Sequence, residues 1–198
     1  MVFPFNDSIL LEDSRVRIEP ITVGHEELLE PVVNNNPELL RYSPVLMRNR
    51  TDLEKYIKSN LALRERRLKY PLAIYDKESE RYAGSSSYLR ISDKDSHLEI
   101  GSTWIGREFQ RSGLNRHMKF LMLSYAFENL GAIRVAFRTD ARNEQSKTAI
   151  QAIGATYEGT LRKHMLMTDG HVRDTVCYSI LKEEWPGLLA TVFQSVAG

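Results

Sequence analysis

His97-Leu98-Glu99-Ile100-Gly101-Ser102-Thr103-Trp104-Ile105 runs into Gly106-Arg107-Glu108-Phe109-Gln110-Arg111-Ser112-Gly113, and then into Leu114-Asn115-Arg116-His117-Met118. The first nine residues alternate. Leu98, Ile100, Ser102 and Trp104 fall on one face and Glu99, Gly101, Thr103 and Ile105 on the other, which predicts a strand. Beyond the polar turn Gly106–Gly113, Leu114, Met118, Leu121, Met122 and Tyr125 recur at helical spacing, and Gly131 stops that helix. A strand-to-helix turn of this kind attracts anions. The first N–H groups of a helix have no intrahelical partner, and the helix dipole adds partial positive charge there. Gly113 allows a close backbone approach and a positive φ, while Arg107, Arg111 and Arg116 add charge, so a diphosphate would fit, against the alternative that a single glycine here marks only a turn. The turn carries neither G-x-x-x-x-G-K-[ST] nor G-x-G-x-x-G, so neither nucleoside triphosphate hydrolysis nor a dinucleotide fold is supported.

Working outward, Tyr70–Tyr75 and Tyr82–Ile91 read as strands, and the polar segment Ser92–Ser96 pairs the second of them with His97–Ile105 as an antiparallel hairpin. Arg15–Pro20 is a further strand. Thr22 is a candidate cap for a helix carrying Leu28, Leu29, Val32 and Val33. Thr51-x-x-Glu54 has the capping-box pattern and opens a helix with Leu53, Tyr56, Ile57, Leu61 and Leu68 along one side. Downstream, Arg134–Thr139 is a strand. Asn143 starts a helix that stops at Gly154, and Thr156–Met167 and Val172–Leu181 flank the turn signal Asp169-Gly170. A short helix is expected within Glu183–Ser195. The order gives a single domain over residues 1–198 of the α+β, or mixed α/β, class. It is a mostly antiparallel seven-stranded sheet with helices on both faces.

Composition removes several function classes. Lysine plus arginine number 27 against 26 acidic residues, so there is no electrostatic footprint for nucleic acid. The basic cluster Arg64, Arg66, Arg67 and Lys69 reads as a solvated helix end. No apolar run is long enough to span a membrane, and the first residues do not read as a secretory signal. Cys177 is the only cysteine, which forbids an internal disulfide and suits a reducing, cytoplasmic compartment. The five histidines show no metal-ligand spacing, so no metal is expected.

The stretches Glu99-Ile100-Gly101, Trp104-Ile105, Gln110-Arg111-Ser112-Gly113-Leu114-Asn115, Thr139-Asp140-x-x-Asn143-x-x-Ser146 and Gly154-Ala155 together resemble the GNAT acetyltransferase superfamily. Glu158-Gly159-x-Leu161-Arg162, Asp169-Gly170-x-x-Arg173-Asp174-x-x-x-Tyr178-Ser179-Ile180 and Glu184-Trp185 resemble its ribosomal-protein N-terminal acetyltransferase branch. The resemblance implies an enzyme moving an acetyl group from acetyl-CoA, its co-substrate, to a primary amine. Gln110, Arg111, Ser112, Gly113, Leu114 and Asn115 would hold the CoA pyrophosphate. The backbone of Trp104, Ile105 and Gly106 would pair with the pantetheine arm. The strand at Arg134–Thr139 would splay away to leave a slot, and Asn143 would contact the cofactor. Two positions depart from the superfamily pattern. Asn115 stands where a small residue is usual, and Ile150 stands where many members place an acidic tyrosine.

Acetyl transfer needs a neutral amine and a proton for the leaving thiolate. Glu99 is the candidate base, against the alternative of an exposed strand carboxylate in a surface ion pair. Ser146 is the candidate acid, a role assigned to a serine in the related branch, against the alternative of a local capping group. Trp104 and Tyr88 stand between lining an acceptor pocket and filling the core. The acceptor pocket is expected from the least patterned segments, Asn34–Arg50 and the last hairpin. The acceptor is a protein N-terminus by resemblance, with a small amine such as a polyamine, amino acid or aminoglycoside as the other reading. A CoA-binding sensor without catalysis is a third. A homodimer is left open.

Overall fold

The computed structural model describes residues 1–196. Its strands are β1 (Leu11–Glu12), β2 (Val16–Pro20), β3 (Lys69–Asp76), β4 (Arg81–Ser92), β5 (His97–Ile105), β6 (Arg134–Asp140), β7 (Thr156–Leu166) and β8 (Val172–Leu181). The helices are α1 (His25–Asn34), α2 (Arg50–Glu65), α3 (Leu114–Ser124), α4 (Glu144–Gln151) and α5 (Trp185–Ala190). All eight strands form one sheet in the order β1-β2-β3-β4-β5-β6-β8-β7. Every neighbouring pair is antiparallel except β5 and β6. This is the expected mixed fold with one strand added: β1 is only two residues long, too short for a periodic signal.

Two helix starts differ from the sequence reading. Thr22 does not cap α1. The N-cap is Gly24, and the Thr22 hydroxyl lies 2.9 Å from His25 Nδ1 instead. For α2 the cap is Asn49, whose Oδ1 accepts from the Asp52 amide at 3.0 Å, so the helix begins ahead of Thr51. Leu68 lies beyond α2 and is half exposed.

The two faces of the sheet carry different helices. Trp104 of β5 donates its indole N–H to Tyr56 of α2, while Tyr88 of β4 donates its hydroxyl to the Met122 carbonyl of α3. Beneath α3 the aromatic cluster continues through Phe120, Phe127, Trp185 and Phe193, and Trp185 also donates to Glu128. At the other end Phe3 and Phe5 pack on Tyr70, and Phe3 on Tyr88, which ties the N-terminal segment into the core.

The alternation expected for β5 holds only to Gly101. Ser85 pairs with Trp104 but Ser87 pairs with Gly101, so β5 carries one extra residue, and Ser102 sits at φ 49°. This β-bulge reverses the later half of the strand. Trp104 joins Glu99 and Gly101 on the α2 face, and Thr103 joins Leu98 and Ile100 on the α3 face. Gly84 accommodates the distortion, because a Cβ there would lie 2.0 Å from the Trp104 carbonyl oxygen.

The cap assignment is testable. Asn49→Ala should lower unfolding free energy by about 1 kcal/mol, while Thr51→Ala should change it by only a few tenths. Urea denaturation of both variants checks this.

Candidate active site

β5 and β6 are paired only from His97 with Arg134 to Glu99 with Ala136. Beyond that point both strands continue, β5 to Ile105 and β6 to Asp140, without pairing to each other. β5 stays bonded to β4, and β6 stays bonded to β8 as far as Asp140 with Thr175. The result is a wedge-shaped slot with its closed end at Glu99 and Ala136. This is the splaying that the resemblance implies.

At the open end lies the loop of Gln110–Asn115. Gly113 has φ 90° and open space where a Cβ would stand. Arg111 also adopts a positive φ, 60°. The Leu114 amide meets the Ser112 hydroxyl at 3.4 Å, whereas the amides of Arg111, Ser112, Gly113 and Asn115 make no hydrogen bond among the described residues. A run of free N–H groups at the start of α3 is a ready anion cradle. Arg107, Arg111 and Arg116 are exposed around it and form no ion pair among the described residues. The Gln110 side chain donates to the Ile105 carbonyl and accepts from Gln145 of α4, bridging the two sides of the slot mouth. Gly106 is engaged within the fold: its amide donates to Ala83 and its carbonyl accepts from Phe109. Tyr88 is a core residue, whereas Trp104, though buried, also lines a cavity on the α2 face. His117 at the base of the loop pairs with Asp13 at 2.7 Å.

Asn143 and Ser146 come together at the start of α4. Asn143 Oδ1 accepts from the Ser146 amide at 3.0 Å, so that oxygen serves as the helix cap and its amide nitrogen stays available. The Ser146 hydroxyl makes no hydrogen bond among the described residues.

Glu99 is not an exposed strand carboxylate. It is 5 % exposed at the closed end of the slot, and Oε2 lies 3.2 Å from Arg90 Nε and 3.3 Å from Arg138 Nε. These are ion pairs by distance, but neither has good hydrogen-bond geometry, and Oε2 remains without a hydrogen bond. Burial is the largest influence and raises the Glu99 pKa; Arg138, Arg90 and the more distant Arg173 oppose it without cancelling it. A carboxylate moved upward in this way is a better proton acceptor than a free one.

On the α2 face a cavity of 400 Å³ opens beside β5, lined by Leu40, Pro44, Lys55, Tyr56, Ser102 and Trp104 among others. Its walls include the segment between α1 and α2, one of the two stretches expected to select the acceptor. Lys69 also lines it, and burial lowers that ammonium to about 8. Of the last hairpin, Arg173 is buried and donates to Thr175, and the Asp174 carboxylate accepts from the Lys163 amide. Cys177 is half-buried and free. Among the described residues there is no group of three or more His, Cys, Asp or Glu able to hold a metal, and no helix is long and apolar enough to cross a membrane.

Residues 15–156 match the family model described as an acetyltransferase (GNAT) domain. The chain belongs to the GNAT acetyltransferases. Membership makes it an acyltransferase, and GNAT acetyltransferases use acetyl-CoA as co-substrate. A Bacillus subtilis (strain 168) protein named as a candidate ribosomal N-acetyltransferase, YdaF, is 35% identical over 104 residues, 52% of this chain and 56% of that one. The chain thus spans about half the length of that relative. A GCN5-related N-acetyltransferase from Brucella melitensis is 26% identical with a TM-score of 0.89, over 98% of this chain and 88% of that one. The ribosomal-protein-S5-alanine acetyltransferase of Vibrio fischeri shares the fold, with a TM-score of 0.72 at 18% identity over 89% and 98% of the two chains.

Sequence reasoning placed the loop, Asn143, Ser146 and Glu99, but missed Arg90, Arg138 and Lys119, which the structure brings to the same slot. Lys119 had a readable signal. It interrupts an apolar helix stripe beside Met118 and Met122.

A raised carboxylate has a definite effect on stability. The folded state holds the Glu99 proton more tightly than the unfolded chain, so stability contributed by protonated Glu99 is lost as pH rises through its folded value. Glu99→Gln should therefore be no less stable than the parent at neutral pH and should flatten stability against pH just above the ordinary carboxylate range. Denaturation at stepped pH measures both.

Proposed function

We propose that the protein transfers the acetyl group of acetyl-CoA to a primary amine, with a protein N-terminus as the acceptor. The observation that carries this reading is the slot. It has an anion-binding loop at its open end and a buried carboxylate at its closed end. The free amides of Arg111, Ser112, Gly113 and Asn115 take the pyrophosphate, and the exposed arginines supply counter-charge. The extended pantetheine arm lies along the unpaired edges near Trp104 and Ile105. Asn143 contacts it through its free amide nitrogen.

Chemistry follows from the placement of Glu99. The acceptor enters from the α2 face, which carries both the 400 Å³ cavity and, at the closed end of the slot, Glu99, and Glu99 accepts its proton. Ser146 donates a hydrogen bond toward the leaving sulfur. Much of the rate comes from holding amine and thioester in contact range. A protein N-terminus is favoured over a small amine because the Bacillus subtilis relative is named for ribosomal substrates and because the cavity is open and walled by several segments.

Three measurements test this. Acetyl-CoA at a hundredfold excess over its dissociation constant should stabilise the fold by about 2.7 kcal/mol, whereas NAD and ATP should not. An unchanged melting temperature at saturating cofactor overturns the reading. Gly113→Val places a β-branched side chain at φ 90°, in space a phosphate would take, and calorimetry should show a large loss of cofactor affinity. Unchanged affinity moves the pyrophosphate elsewhere. Glu99→Gln should keep cofactor affinity and lose roughly 10²–10⁴ in turnover, with the loss shrinking at high pH where free amine is abundant. Equal rates at neutral pH reduce Glu99 to a structural role.

A further inference from the structure

Lys119 lies on the buried side of α3, between Met118 and Met122, and is 6 % exposed. A buried ammonium normally has a carboxylate beside it. Lys119 forms no ion pair among the described residues. Its Nζ donates to Thr103 Oγ1 at 3.1 Å and lies 5.6 Å from the centre of the Phe137 ring. Thr103 Oγ1 in turn meets Ser86 Oγ at 2.8 Å. Tyr88, a titratable side chain of β4 on that face, spends its hydroxyl on the Met122 carbonyl. Burial alone lowers the Lys119 ammonium, to about 7.

Position makes this lysine informative. Phe137 is the first β6 residue past the last pair with β5, and Thr103 stands on the diverging part of β5. Nζ therefore bridges the two strands across the slot, near its closed end and on the α3 face. Glu99 reaches the same end from the α2 face. The five residue steps from Ile105 back to Ile100 cover roughly 17 Å of strand, so an extended arm anchored at the loop brings its sulfur to this end.

We propose that Lys119 is the proton donor to the leaving sulfur, acting from the face of the slot opposite the acceptor amine. This rests on the acetyl-CoA reading above. The neutral amine uses its lone pair to form a bond to the thioester carbonyl carbon, and Glu99 takes the proton from the resulting nitrogen. The carbon–sulfur bond then breaks with its electron pair going to sulfur, and the Nζ proton of Lys119 goes to that sulfur, giving free thiol and neutral lysine. Glu99 returns its proton to water and Lys119 regains one from water once the thiol leaves. A serine hydroxyl is a far weaker acid than a thiol, so Ser146 can donate a hydrogen bond to the sulfur without giving up its proton. A thiol ionises near about 8.5, so an ammonium near 7 gives its proton to a thiolate downhill.

Lys119→Met and Lys119→Arg test the assignment against a structural role. Calorimetry with acetyl-CoA comes first. A parent that does not bind overturns the function proposed above, whereas the behaviour of the two variants bears on Lys119 alone. Both variants should bind the cofactor nearly as the parent does but transfer acetyl about 10²-fold more slowly in a single turnover. Both should also lose the fall in rate that the parent shows as pH rises through 7. Arginine keeps the charge but cannot release the proton, so parent-like rates in Lys119→Arg overturn the proposal, as does an unchanged pH profile in Lys119→Met. Methionine fills a similar volume without a charge to bury. Lys119→Met should therefore resist urea at least as well as the parent, most clearly below pH 7, where the parent must bury the charged form. If neither variant folds, the parent decides: a single-turnover rate that falls with the same midpoint as the NMR titration of the Lys119 ammonium supports the role, and a rate that does not follow that titration, or a charge that persists to the ordinary lysine range, overturns it.

Discussion

Two parallel strands that begin paired and then part company set the terms for the rest of this protein. A strand edge without a neighbour leaves N–H and C=O groups that water or another chain must satisfy. Here the unpaired edges face each other inside the sheet, held apart because each strand has a better partner on its far side. β4 holds β5 through the bulge at Ser102, and β8 holds β6 to its last residue. The gap is therefore enforced by pairing elsewhere, and an extended molecule carrying amide groups of its own is the natural thing to complete the sheet.

The electrostatics divide along the same line. On the α2 face a buried carboxylate sits among arginines, and on the α3 face a buried ammonium sits against a threonine and an aromatic ring. Both are pushed by burial toward their neutral forms. Neither arrangement serves stability well, since each leaves a charge poorly paired in a low-dielectric setting. Under the proposed function, these two groups are the ones that exchange protons with the reactants.

Much of this was legible from the residues. The bounds of β5 and β8 were readable to the residue, although the faces of β5 were not, and Gly113, Gly131, Gly154 and Asp169-Gly170 marked stops and turns that the backbone confirms. What failed was local competition. Thr22 and Thr51 both had capping chemistry, but Gly24 and Asn49 took those places because the helices began at a different phase. The two-residue β1 has no period to detect. The burial of Glu99 was unreadable, because a carboxylate in an alternating strand looks the same whether its face is wet or covered. The aromatic anchoring of Phe3 and Phe5 was hidden for a related reason: a short segment without periodicity reveals its partners only in three dimensions.

The bulge in β5 has a bearing on how relatives of this chain should be compared. One extra residue shifts the reading frame of the strand, so odd-numbered positions look to α2 before Ser102 and to α3 after it. Aligned against a strand lacking that residue, Thr103 and Trp104 would trade sides, and a donor-side position would be matched with an acceptor-side one. Evolution can thus exchange the chemistry of the two faces by inserting or deleting a single codon, without altering any residue that lines them.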